Sequence, residues 1–141
     1  MDELPDEIYD EVLECSEKGN VLMEQKEYQR AIDTFEAAFK KLPAPVEKWD
    51  AFLWLKASIG DARFFMKDYE EAAEIFFDAM NGPDGAHNPF ILLRLGQCLY
   101  EQGSERAIDY MCKAYFLEGE EIFSDEDEKY FNAVKGALGV R

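Results

Sequence analysis

Apart from its carboxylates, the chain has few side chains able to do covalent or acid–base chemistry. There is one histidine, His87, within NGPDGAHNP (Asn81–Pro89), and there are three cysteines, Cys15, Cys98 and Cys112. A lone histidine in a Gly/Pro/Asn loop has no base or nucleophile beside it and reads as a solvent-facing residue. The cysteines lack CxxC or metal-type spacing, so they read as reduced thiols serving as small apolar groups. A Cys98–Cys112 bridge across a helix pair is the less favoured alternative. No HExxH, GxSxG or phosphate-cradling glycine motif occurs. SDEDE (Ser124–Glu128) has the acidity of a calcium loop, but the glycine and terminal glutamate that such a loop needs are missing. It reads instead as a capping box, Ser124 with Asp127, opening a helix. With 31 Asp and Glu against 15 Lys and Arg, carboxylates are everywhere and no pair stands out. The expectation is a non-enzymatic protein with no catalytic residue, metal or cofactor.

Charge narrows what it binds. A formal net charge of −16 opposes nucleic acid and anionic membrane surfaces, and suits a basic protein partner drawn in over distance. It also serves solubility. Apolar residues make up 48% and aromatics 14%, enough for a core despite the acidity. No stretch approaches the roughly 18 apolar residues of a membrane span. The start MDELPDEIYDE lacks the basic and apolar segments of an export signal, so a cytoplasmic location is expected.

Binding residues need elements to hold them, and here the chain repeats itself. Gly19, Gly60 and Gly96 each open a similar phrase. Tyr28, Ala31, Phe35 and Ala38 recur at the same spacing as Tyr69, Ala72, Phe76 and Ala79. The third copy has Ala107, Met111 and Ala114 in register once one residue is deleted at Gly103–Ser104. Such a phrase describes a helical hairpin. The glycine admits a neighbouring helix, the alanine sits where two helices cross, and the aromatic one turn on fills space between successive hairpins. One hairpin cannot bury its apolar face alone, so several must stack.

These residues resemble the tetratricopeptide repeat family, whose pattern is W-x2-L-G-x2-Y, A-x3-F and P over about 34 residues. The resemblance runs from about Val12 to Leu117. It implies an all-α fold of three stacked hairpins in a right-handed α-solenoid, in a single domain spanning residues 1–141. The repeats fall at about 6–43, 46–83 and 89–119, and a capping helix falls at 125–138. Helices are expected over 6–25, 28–41, 46–66, 69–81, 89–102, 105–117 and 125–138. The glycines lie 41 and then 36 residues apart, so the array is irregular. The first excess is assigned to extra turns on the third helix, beginning after Pro45.

The resemblance implies that the first helix of each hairpin lines a concave, partner-binding face. The matching positions are Leu13, Glu17, Asn20 and Glu24 in repeat one. Repeat two supplies Trp54, Ser58, Asp61 and Phe65, and repeat three supplies Phe90, Arg94, Gln97 and Glu101. Trp49 is placed on the rim. Some family members hold a terminal carboxylate with a cationic clamp. Here only Asn20 and Arg94 match it, while Ser16, Ser58 and Phe90 carry no cation. The lining is therefore aromatic and acidic, suited to basic side chains with an apolar anchor. On this basis Glu17 and Asp61 should tolerate charge reversal without unfolding.

The chain is also similar to small stand-alone bacterial repeat proteins that accompany polymorphic toxins, and to the tetratricopeptide chaperones of type III secretion. Sequestering one dedicated partner is the expected function, with toxin immunity its first concrete form and a secretion chaperone or adaptor the second. A scaffold forming a homo-oligomer through Trp49, Phe52 and the last helix is the alternative from a different class.

Overall fold

The computed structural model describes residues 3–139, and among them all regular structure is helical. Seven α-helices run in order: α1 (Asp6–Glu24), α2 (Tyr28–Phe39), α3 (Asp50–Phe65), α4 (Tyr69–Ala79), α5 (Pro89–Glu101), α6 (Ala107–Glu118) and α7 (Glu128–Leu138). Each packs against the next, and α1 touches α3 as α3 touches α5. The first helices of the three pairs therefore adjoin. No helix among the described residues is long and apolar enough to cross a membrane.

The repeated phrase has a repeated geometry. Lys26, Lys67 and Gly103 each adopt a left-handed backbone, with φ of 62°, 65° and 74°. All three stand seven residues after their glycine. The next residue closes the turn by the same bond: Glu27 N–H donates to Leu22 O at 2.9 Å, Asp68 to Arg63 at 3.0 Å and Ser104 to Leu99 at 2.9 Å. This is the helix C-cap in which a 6→1 bond satisfies an orphan carbonyl. The deletion in the third copy falls after this turn, so α6 begins directly at Ala107.

Within each pair the glycine lies against a large side chain of the following helix. A methyl group on Gly19 would stand 2.4 Å from the Phe35 ring, one on Gly60 2.7 Å from Phe76, and one on Gly96 2.5 Å from Met111. Phe35, Phe76 and Met111 are fully buried, as are Ala31 and Ala72, with Ala107 nearly so. Burying each large side chain contributes about 1.5–3 kcal/mol. The aromatic thus serves its own helix pair first. It reaches the next pair only secondarily, as where Phe76 meets Phe90 edge-on at 6.5 Å.

Two helix starts differ from expectation. The chain after Pro45 forms a separate 3-10 turn, Val46–Lys48, and α3 begins only at Asp50. Trp49 breaks the helix between them: its backbone is extended, and its indole Nε1–H donates to Pro43 O at 2.7 Å. It is 7% exposed, a core residue rather than a rim residue. At the other end, Glu120–Phe123 forms a 3-10 turn anchored by buried Phe123. Ser124 ends that turn, and Asp127 caps α7 by accepting from Lys129 N–H at 3.0 Å. Asn88 caps α5, accepting from Phe90 and Ile91 N–H.

The glycine contact can be tested directly. Gly60→Ala should lower stability by about 1–3 kcal/mol, because the methyl must displace the buried Phe76 ring. Gly136→Ala in α7, where a methyl group meets nothing within 4 Å, should raise it by roughly 0.5–1 kcal/mol. Urea denaturation of the two variants measures both, and equal effects would remove the contact from its role.

Candidate protein-binding surface

Two stripes of side chains face out from the first two pairs. On α1, Leu13, Glu17, Asn20 and Glu24 are exposed at helical spacing, with Tyr9 one turn before them. On α3, Trp54, Ser58 and Asp61 are half-buried and Phe65 is 46% exposed. The Ser58 hydroxyl donates to Trp54 O at 2.9 Å, so it is satisfied within its own helix. Phe65 stacks on Tyr28 at 6.0 Å, tying the end of α3 to the start of α2. Among the described residues, Glu17 and Glu24 take part in no ion pair.

The third pair is different. Arg94 is 5% exposed and Gln97 fully buried, so neither presents a free group to a partner. The Arg94 guanidinium donates to Asp61 Oδ1 at 2.7 Å and to Gln97 Oε1 at 2.7 Å. It also donates to Glu126, which reaches in from the segment before α7. Gln97 Nε2–H adds a bond to the same Glu126 oxygen at 2.8 Å. Three rings surround the cation: Phe64 at 4.7 Å, Phe65 at 5.4 Å and Phe90 at 5.1 Å. Half-buried Glu101 accepts from Tyr130 Oη–H at 2.9 Å and pairs with Lys129 at 2.8 Å. The chain's own residues 126–130 therefore occupy the third-repeat part of the expected groove.

The electrostatics of this cluster follow from one cation held between two carboxylates. Burial disfavours charge on Arg94, yet Asp61 and Glu126 outweigh it and raise the Arg94 pKa. Burial pushes Asp61 up; Arg94 opposes the rise and Glu126 reinforces it. Arg94 is thus spent inside the molecule, and so is Asp61. Reversing the charge of Asp61 would set a second cation against Arg94, so the expectation that Asp61 tolerates reversal is corrected. Glu17 is exposed and meets no such conflict.

Burial also pushes the Cys98 thiol from 9.0 to about 12. Burial raises the Tyr130 hydroxyl too, and its bond to Glu101 adds to the effect. All three cysteines are free thiols. Among the described residues no group of three His, Cys, Asp or Glu could hold a metal ion.

Glu126, Lys129 and Tyr130 were not among the expected site residues. Their partners lie 28 to 32 positions away in the chain, and an acidic run carries no local sign of which carboxylate turns inward. No protein-family model matches the chain, and no curated protein matches it.

Two outcomes follow. Arg94→Met should cost about 3–5 kcal/mol in urea denaturation, because two inward carboxylates lose their cation. A neutral result would mean the cluster contributes nothing net. Stability should also fall as pH rises from about 9 toward about 12. The fold keeps the Cys98 and Tyr130 protons, whereas the unfolded chain releases them near the ordinary values of 9.0 and 10.0. Tyr130→Phe should make the alkaline decline of the urea midpoint shallower, and an unchanged slope would absolve Tyr130.

Proposed function

We propose that this chain is a non-enzymatic tetratricopeptide-type module, three helical hairpins in a right-handed solenoid closed by α7, that sequesters one dedicated basic protein. One observation carries the reading: the α1–α3 surface keeps apolar and acidic side chains exposed, and on α1 none of Leu13, Glu17, Asn20 or Glu24 enters the Arg94–Glu126 network. Leu13 and Phe65 are exposed there beside Glu17 and Glu24. Apolar anchors flanked by carboxylates suit a partner presenting lysine or arginine around an apolar contact. The net charge of −16 would speed the encounter. The glycine contact shared by all three pairs supports the repeat reading.

Toxin immunity is the concrete form we favour, in which an acidic protein covers a basic active surface. A secretion chaperone would use the same stripe for an extended segment. The scaffold alternative loses two of its contacts, since Trp49 and Phe52 are buried.

Affinity capture of the tagged protein from its native cells, read by mass spectrometry, tests this. A single basic partner near equal stoichiometry is expected, toxic when expressed alone and harmless when co-expressed. An exported, disordered partner would shift the assignment to a chaperone. Recovery of the bait alone as a dimer or larger would overturn sequestration. Glu17→Lys with Glu24→Lys should then weaken partner binding about ten-fold and flatten its salt dependence, with the fold intact. Unchanged binding would move the interface off this surface.

A further inference from the structure

Between the N-terminal ends of α1 and α3 lies an open cleft with aromatic walls, Tyr9, Trp49 and Trp54, and acidic side chains at Glu3, Asp6 and Asp50. Tyr9 is 47% exposed and Trp54 half-buried. Trp49 is locked by its bond to Pro43 O, so its only indole donor is already used and its ring serves as a wall. Among the described residues no ring or cation stacks on Tyr9 or Trp54, and no ion pair holds Glu3, Asp6 or Asp50. The Lys48 ammonium lies 4.4 Å from the Trp49 ring centroid, so one wall already carries a cation of this chain.

We infer that this cleft receives an arginine side chain of the partner protein, stacked on Trp54 and Tyr9 and paired with Asp6, Asp50 or Glu3. This deepens the binding reading above and rests on it. A guanidinium fits both halves of the site at once. Its flat, weakly hydrated face stacks on aromatic rings, and its edge forks onto carboxylates. A lysine ammonium is a compact point charge and exploits only part of that arrangement. The internal precedent is Arg94, whose guanidinium lies among three phenylalanine rings with a carboxylate on either side. The cleft offers the same combination of groups, and among the described residues no cation stacks on Tyr9 or Trp54.

Both tryptophans of the chain line the cleft, so their emission reports on it. The probe is a capped Gly-Arg repeat peptide, titrated into the intact protein at physiological salt and followed by fluorescence and calorimetry. A saturable emission change is expected, with a Gly-Lys peptide of equal charge binding more weakly. Asp6→Asn with Asp50→Asn should weaken the arginine peptide about ten-fold. Glu36→Gln with Glu74→Gln, exposed on α2 and α4, removes equal charge elsewhere and should change little. Tyr9→Ala, whose ring is largely at the surface, provides a second test with little risk to folding. If calorimetry detects binding but emission stays silent, or both charge pairs weaken it equally, the cleft is overturned while the acidic-surface reading stands. Emission that changes with protein concentration alone would give the cleft to a second copy and overturn the proposal. No binding by calorimetry would overturn both.

Discussion

Everything in this fold hangs on how closely the two helices of each pair approach. At Gly19, Gly60 and Gly96 the missing side chain lets Phe35, Phe76 and Met111 lie where a methyl group would otherwise stand. The large residue is fully buried by that approach and stabilises its pair as a unit. A buried alanine one turn earlier keeps the crossing tight. The same left-handed turn follows each glycine at the same distance and is closed by the same backbone bond. Close packing within pairs leaves the first helices side by side, and only then does a surface made of α1 and α3 exist.

The second constraint is electrostatic. A chain this acidic could bring carboxylates together anywhere, yet it buries one arginine with two of them. Arg94 lies among Phe64, Phe65 and Phe90, where an unpaired charge would be costly, and Asp61, Gln97 and Glu126 accept from its Nε and Nη1 donors. The contact joins α3, α5 and the segment before α7. It fixes where the C-terminal segment goes, and Tyr130 and Lys129 on Glu101 extend the seal. Removing one partner of such a cluster leaves an uncompensated buried charge, so the contact couples α3, α5 and the segment before α7.

That closure sets the third pair apart from the first two. The third pair contributes its polar first-helix residues to an internal network, so its sequence similarity to the first two does not make its surface equivalent to theirs. On α1 and α3, Tyr9, Glu17, Glu24 and Phe65 stay exposed, while Asp61 turns into the network. In the binding reading we propose, the end holding Tyr9 and Trp54 and the end holding Phe65 are separate anchors.

What the sequence determined by itself was local. Glycine, alanine and aromatic residues at fixed spacing dictate helix pairs, because helix periodicity alone decides which side chains share a face. The six helices of the three pairs and their order follow from that, as do the buried positions Ala31, Phe35, Ala72, Phe76, Ala107 and Met111. Tertiary structure alone decided which polar residues turn inward. Arg94 and Gln97 occupy the same register as outward-facing Glu17 and Asn20, and the two cases are separated by Asp61, 33 positions before Arg94, and Glu126, 32 positions after it. Trp49 likewise reads as a rim residue until Pro43 O is found within reach of its indole. Pairing energy depends on distance in space, and residue spacing encodes that distance only within one element.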